Sequence, residues 1–151
     1  MTDGVRVPPR WVVTTAWRVH RGLYRATGGR FGLRRPRPGR EGLFRLTTVG
    51  RRSGLERSVI LAYIVDGPAV VTLAMNGWGD GEPAWWLNLR ASGTAYLRTP
   101  EGTRRVTGRA AAGAERDRLW ERWRELDPKL DGYAALRKTE TAVVILEDTA
   151  G

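Results

Sequence analysis

Residues Leu43 to Met75 read LFRLTTV-GRRSG-LERS-VILAYIV-DGP-AVVTLAM, and this stretch decides the fold. Leu43 to Val49 is a short run of β-prone residues, and it stops at a polar turn framed by Gly50 and Gly54. Val59 to Val65 is a second apolar run. Asp66-Gly67-Pro68 closes it with a strong turn signal, and Ala69 to Met75 is a third run. Apolar runs of this length bounded by glycine-containing turns predict strands joined as hairpins rather than helices.

The rest of the chain extends that pattern. Residues 76–83 form a glycine-rich loop, and Ala84 to Ala91 reads as a short helix. Ala95 to Arg98 and Thr103 to Ala110 predict another hairpin, turning at Pro100-Glu101-Gly102. Ala114 to Leu126 carries Leu119, Trp120, Trp123 and Leu126 as an apolar stripe at helical spacing, and Asp127-Pro128 stops it. Residues 129–138 add a helical turn or two, and Thr141 to Leu146 is a final strand. About six strands joined by tight turns, with two to four short helices, predict a mainly β fold: an antiparallel sheet or small barrel.

Upstream of this body the texture differs. Val12, Ala16, Val19 and Leu23 recur on one helical face over residues 10–27, and residues 28–42 are a Gly/Pro/Arg-rich linker. Residues 1–40 hold ten arginines against Asp3, so +9 of the net +10 sits there. A basic amphipathic helix of this kind is suited to packing on the body or to an anionic membrane surface. A folded nucleic-acid binder spreads its basic charge over the domain face, so no nucleic acid is expected as partner.

Composition excludes several chemistries. The 151 residues, one domain's worth, contain no cysteine, which removes disulfides, thiolate metal sites and cysteine nucleophiles. The single histidine, His20, lies in the basic arm, which argues against a His-based triad or a His-rich metal site. No apolar run approaches the ~20 residues needed to span a bilayer, and Met1 to Arg10 has no apolar signal core. The expected location is cytoplasmic, with peripheral contact at the inner face of the plasma membrane through the basic helix. Asp66, Asp80 and Glu82 lie in turns and form no acid/base pair. What remains is chemistry carried by a bound cofactor, which the protein need only hold and orient.

Three segments are suited to that task. Gly50-Arg51-Arg52-Ser53-Gly54, followed by Arg57, places three guanidinium groups and a hydroxyl on a tight turn whose amides can converge on an anion. It lacks the Gly-Lys-Ser/Thr end of a P-loop, and no Gly-x-Gly-x-x-Gly occurs in a strand–turn–helix setting. Pro83 to Arg90 (PAWWLNLR) puts Trp85, Trp86 and Asn88 on one short helix, with one tryptophan expected in the core and the other lining a groove. Asn76-Gly77-Trp78 leaves a strand in a glycine-rich loop that a flat ligand can approach. Tyr133 and Tyr63 are the tyrosines best placed to meet a substrate. Each feature has a plainer reading: a solvated turn, an aromatic anchor with Asn88 capping a backbone group, a connecting loop, and tyrosines packed in the core.

Taken together, L-T-T-V-G-R-R-S-G-x-x-R (Leu46 to Arg57), Asp66-Gly67 and P-A-W-W-L-N-L-R (Pro83 to Arg90) resemble the deazaflavin (F420)-dependent nitroreductase family of the flavin/deazaflavin oxidoreductase superfamily. The likeness covers roughly residues 43–148, with a looser likeness in the basic N-terminal helix. It implies a split β-barrel of about six antiparallel strands, with residues 43–151 as the deazaflavin-binding domain and 1–42 as the basic helix and linker. It further implies use of reduced coenzyme F420, with hydride passing from C5 to an electron-poor acceptor such as a quinone, an activated alkene or a nitro compound. By the family pattern Arg51, Arg52, Ser53 and Arg57 hold the phosphodiester and oligoglutamate tail. Ser58, Val59 and Ala62, then Leu73, Ala74, Met75 and Asn76, then Ala84, Trp85, Trp86 and Asn88 surround the deazaflavin. Tyr133 lies on the acceptor side, and Tyr133, Tyr63 or water supplies the proton.

The chain departs from that pattern at Ala62 and Leu130, where tyrosines are common, at Met75 for serine and at Ile60 for proline. By the family pattern those positions shape the acceptor pocket, so the loss of hydroxyls implies a more apolar acceptor or a specialised biosynthetic step. Two other readings use the same barrel: a reductase holding FMN or FAD, and a non-catalytic binder of a flavin-like ligand or tetrapyrrole. Barrels of this lineage include both homodimers and monomers.

Overall fold

The computed structural model describes residues 32–149. The helix expected over residues 10–27, His20 and the first part of the linker lie outside the described residues. Within them the elements run β1 (Gly42–Val49), β2 (Glu56–Asp66), β3 (Ala69–Leu73), a 3-10 turn (Asn76–Trp78), α1 (Ala84–Ser92), β4 (Thr94–Thr99), β5 (Gly102–Ala110), α2 (Gly113–Leu126), α3 (Leu130–Ala135) and β6 (Val143–Asp148). The strands form a closed antiparallel barrel in the order β1-β2-β3-β6-β5-β4, with β4 returning to β1 through Arg45–Arg98, Leu46–Leu97 and Thr47–Tyr96.

Strand alternation sorts the side chains into two apolar clusters. Phe44, Leu46, Tyr63, Val70, Leu97, Val106, Val144 and Leu146 fill the barrel interior. The register supports this, pairing Phe44 with Leu61, Leu46 with Val59 and Val70 with Leu146 on the inner face. α1 closes one mouth of the barrel, adding Trp85, Trp86 and Leu89 to the same cluster. Gly108 on β5 allows that approach, because a Cβ there would collide with the Leu89 side chain. On the outside, Val71, Leu73, Val143 and Ile145 are covered by Leu119 and Trp123 of α2 and by Leu130 of α3. β3 is therefore buried on both faces, which explains its unbroken apolar sequence AVVTL.

α2 is fixed to the barrel by polar contacts as well as by its apolar stripe. Arg118 makes a two-pronged bond to Asp66 at 2.9 Å on each oxygen, and Arg122 donates to the Val65 carbonyl at 2.6 Å.

Several element ends differ from the sequence expectation. β2 begins at Glu56 rather than Val59, because polar Glu56, Arg57 and Ser58 continue the ladder opposite Val49, Thr48 and Thr47. β3 ends at Leu73, which places Met75 in the following loop, and β6 runs on to Asp148. The described part of the linker is tied down. Arg34 bridges to Leu43, Arg37 to Arg40, and the Arg34 and Arg35 side chains pair with Glu41 and Glu101. Among the described residues no helix is long and apolar enough to cross a membrane.

Candidate active site

The β1–β2 turn lies at the barrel mouth that α1 closes, and its own backbone shapes it. The Gly54 amide donates to the Gly50 carbonyl and the Gly50 amide to the Leu55 carbonyl, both at 2.8 Å. Gly54 has φ +71°, a conformation that glycine adopts without cost. Ser53 Oγ accepts the Leu55 amide at 3.2 Å, which leaves the hydroxyl proton to donate outward.

Asn88 of α1 holds this turn in place. Its Oδ1 accepts from the Arg51 amide at 3.1 Å and from the Arg51 guanidinium at 3.2 Å, and its Nδ2 donates to Thr48 Oγ1 at 3.3 Å. Asn88 is buried while Arg51 is exposed, so the brace is internal and the cation faces solvent. Arg52 and Arg57 are also exposed. Among the described residues, Arg51, Arg52 and Arg57 have no carboxylate partner, whereas Arg34, Arg109, Arg118 and Arg124 are each paired with one. Two unneutralised cations on the turn and a third at the start of β2 favour an anionic ligand.

The outer face of β2 leads away from the turn. Ser58 shares a hydrogen bond with Thr47 at 2.8 Å, and the Ala62 carbonyl accepts from Thr72 Oγ1 at 2.8 Å. Ala62, Met75 and Trp78 all pack, half-exposed, against the outer apolar cluster. Trp78 stacks on Tyr133 of α3, with centroids 5.6 Å apart and planes 15° from parallel. Ala62, Met75 and Trp78 thus border the same outer cluster, and Tyr133 joins them through its stack on Trp78.

Other candidate residues are placed differently. Tyr63 points into the barrel, edge-on to Phe44 at 5.4 Å, and borders a separate cavity of about 490 Å³ with Arg35, Glu101 and Arg104. It lies seven residues along β2 from Glu56, about 23 Å from the turn. Burial, followed by the nearby Glu101 carboxylate, pushes its phenol pKa up. Trp85 and Trp86 are both buried in the interior cluster. Their rings sit 6.1 Å apart, with Arg90 over Trp86. Leu73 and Ala74 are buried, Val59 packs inward, Ala84 is exposed, and Leu130 lies in the core beneath α2. The Asn76 amide is engaged by the carbonyls of Asp80, at 2.9 Å, and Gly81, at 3.3 Å.

Sequence reasoning missed Arg137. It is 7% exposed. Nε donates to the Gly79 carbonyl at 2.8 Å and Nη2 to the Gly81 carbonyl at 2.7 Å, while Nη1 serves the Ala74 carbonyl at 3.0 Å and Thr141 Oγ1 at 2.7 Å. Burial lowers its pKa, partly opposed by Glu82 and Asp80. The acceptors are mostly backbone carbonyls, which carry no residue-type signal. No cluster of three or more His, Cys, Asp or Glu able to hold a metal occurs among the described residues.

Comparison with known proteins is consistent with this geometry. The sequence profile of the F420H(2)-dependent quinone reductase family matches residues 16–148. An F420H(2)-dependent quinone reductase of Mycobacterium tuberculosis (strain ATCC 25618 / H37Rv) is 31% identical over 106 residues, 69% of this chain and 70% of that protein. A solved structure described as an F420-H2 dependent reductase (FDR-A) superposes with TM-score 0.62 at 25% identity, covering 70% of this chain and 93% of that one. Another, described as a domain-swapped dimer, superposes with TM-score 0.66 at 26% identity, over 91% of this chain and 98% of that one.

Proposed function

The chain belongs to the F420H(2)-dependent quinone reductase family, and on that premise we propose that it reduces a planar, weakly polar acceptor of the quinone class by hydride transfer at the Ala62–Met75–Trp78–Tyr133 surface. The observation that carries this reading is the braced turn and the strand that leaves it: the guanidinium groups of Arg51, Arg52 and Arg57 are exposed and without carboxylate partners among the described residues, and Arg51 is held by buried Asn88. These residues fit the family's cofactor, whose phosphodiester and glutamate tail are anionic. Arg51, Arg52 and Arg57 hold that tail, and the Ser53 hydroxyl adds a donor. When bound, reduced F420 supplies the hydride from its C5 position.

The protein's own share is orientation and exclusion of water. Ala62 and Met75 offer methyl groups where hydroxyls would favour polar acceptors, and the Trp78–Tyr133 stack offers a flat wall. Tyr133 is the other half of that stack, and it is the residue from which we derive the proton that completes the reduction. Holding two reactants face to face is worth several kcal/mol of barrier, which suffices when the cofactor carries the chemistry.

Fluorescence titration with F420, with FMN and FAD in parallel, tests the assignment. The wild-type chain binds F420 more tightly than either flavin. The Arg51→Ala/Arg57→Ala double variant loses about 2 kcal/mol of that affinity, close to thirtyfold. Unchanged affinity in the double variant overturns the role of the turn, and preference for FMN moves the chain to a flavin chemistry.

A further inference from the structure

The β3–α1 loop holds an unusual backbone. Asn76, Gly77 and Trp78 have φ of 50°, 60° and 64°, so three consecutive residues are left-handed and two of them are not glycine. A bulky residue adopts this conformation only where its surroundings enforce it, and such strain concentrates at functional sites. Trp78 is the residue held this way, and its ring lies against Tyr133.

What enforces the loop is Arg137. Its guanidinium ties together the carbonyls of Ala74, Gly79 and Gly81, on both sides of the strained triplet. Neighbouring residues add to the clamp. Thr139 Oγ1 accepts the Gly81 amide at 2.9 Å, and Asp80 Oδ1 accepts the Lys138 amide at 2.6 Å. Arg137 also follows directly from α3, donating its own amide to the Ala134 carbonyl at 3.1 Å. One buried cation therefore fixes both partners of the stack: the loop that carries Trp78 and the helix that carries Tyr133. Among the described residues it makes no ion pair, although Asp80 and Glu82 act on it from nearby. A buried cation satisfied mainly by loop carbonyls is costly to keep, and the order it imposes on that loop offsets the cost.

We infer that Arg137 is a positioning residue for the acceptor: it sets the Trp78–Tyr133 wall at the spacing and tilt against which a flat aromatic acceptor packs. This rests on the functional reading above and extends it to a residue that touches neither cofactor nor acceptor. It separates two determinants. The arginine turn governs cofactor affinity, and the Arg137 clamp governs acceptor KM.

The test is steady-state oxidation of F420H2 with menadione as acceptor, alongside F420 titration of the same preparations. Arg137→Met is expected to raise the menadione KM about tenfold, because loss of alignment in a binding wall acts on acceptor capture. Its F420 affinity stays within about twofold of wild type, since the turn is held separately by Asn88. Arg137→Ala regains acceptor affinity when millimolar guanidinium ion is added, because the free ion refills the same carbonyl cradle. A wild-type menadione KM in Arg137→Met overturns the inference, as does equal loss of F420 affinity. If Arg137→Met does not fold, Trp78→Leu carries the test with Arg137 intact: it raises the same KM, and an unchanged KM overturns the inference. If the wild type neither binds F420 nor reduces menadione, the functional reading itself fails. If it does both while Arg137→Met matches it, only the role of Arg137 fails; if Trp78→Leu also matches it, the acceptor wall fails with it.

Discussion

Replacing Asn88 by alanine separates the brace from the cations it holds. Asn88 makes three hydrogen bonds: from the Arg51 amide at 3.1 Å, from the Arg51 guanidinium at 3.2 Å and to Thr48 Oγ1 at 3.3 Å. A net ~1 kcal/mol for each, with the charged bond kept at that value because Arg51 is exposed, predicts a loss of about 3 kcal/mol. At roughly 3 °C per kcal/mol for a chain of this size, the melting temperature falls by about 9 °C. The freed Arg51 no longer presents its amide and guanidinium together, so F420 affinity falls about tenfold, near 1.4 kcal/mol. Asn88→Asp sharpens the comparison. It keeps an acceptor for both Arg51 donors but places a carboxylate against the cation, so it loses similar affinity with a smaller change in stability. Differential scanning fluorimetry and F420 titration at fixed ionic strength read both quantities. A melting temperature within about 2 °C of wild type, together with unchanged affinity in Asn88→Ala, refutes the idea that α1 organises the turn.

Other expectations follow from single contacts. Removing the exposed pair in Arg52→Ala/Arg57→Ala leaves urea stability within about 0.5 kcal/mol, while the salt dependence of F420 binding flattens because screened charges have been removed. Tyr63→Phe leaves the reductase rate unchanged, since its phenol borders a cavity at the other end of the barrel, whereas Tyr133→Phe lowers it. A pH–rate profile of both variants decides this. Gly108→Ala drives a methyl group into Leu89 and destabilises the barrel by about 1–3 kcal/mol, read from the urea midpoint. The Arg118 bond holds the Asp66 carboxyl below its ordinary 3.8. A carboxyl whose pKa is depressed on folding stabilises above the unfolded value and loses that contribution as pH falls through the folded one. Asp66→Asn is therefore less stable than wild type at pH 7, and the gap narrows below pH 3.8 in paired urea titrations.

Hairpin turns and alternation made most of the barrel readable before any coordinates. Asp66-Gly67 and Pro100-Glu101-Gly102 sit at the hairpin tips, and α1 and α2 begin and end within one residue of their sequence limits. Closure of the sheet was less accessible to unaided pattern reading. Alternation says which residues face inward but not which strand β4 joins, and the resemblance supplied the barrel. Tyr63 shows the same limit at one residue. It neighbours Ala62 in sequence, yet successive strand residues face opposite sides, so it cannot stand in for a side chain on the proposed acceptor surface. One of Trp85 and Trp86 was expected in the core, and both are buried there because a helix that stoppers a barrel is buried around much of its circumference. The Arg51–Asn88 brace agrees with the plainer reading of Asn88 as the cap of a backbone group, here the Arg51 amide. The Arg137 clamp was not anticipated, since its partners are carbonyls more than fifty residues away in the chain.

The closing seam of the barrel bears on how copies of this chain could meet. A closed sheet offers no free edge to which a second chain could add a strand. Exchange of segments between copies would first have to separate neighbouring strands that are not joined by a short turn. Three such seams exist among the described residues. β5 pairs with β6 over five positions, and β3 pairs with β6 over four beneath α2 and α3. β1 pairs with β4 over three. This last seam, Arg45 to Thr47 against Tyr96 to Arg98, is the shortest zipper and has exposed Tyr96 at one end. Any traffic of strands between molecules would begin there, away from the Arg137 clamp on the loop that carries Trp78.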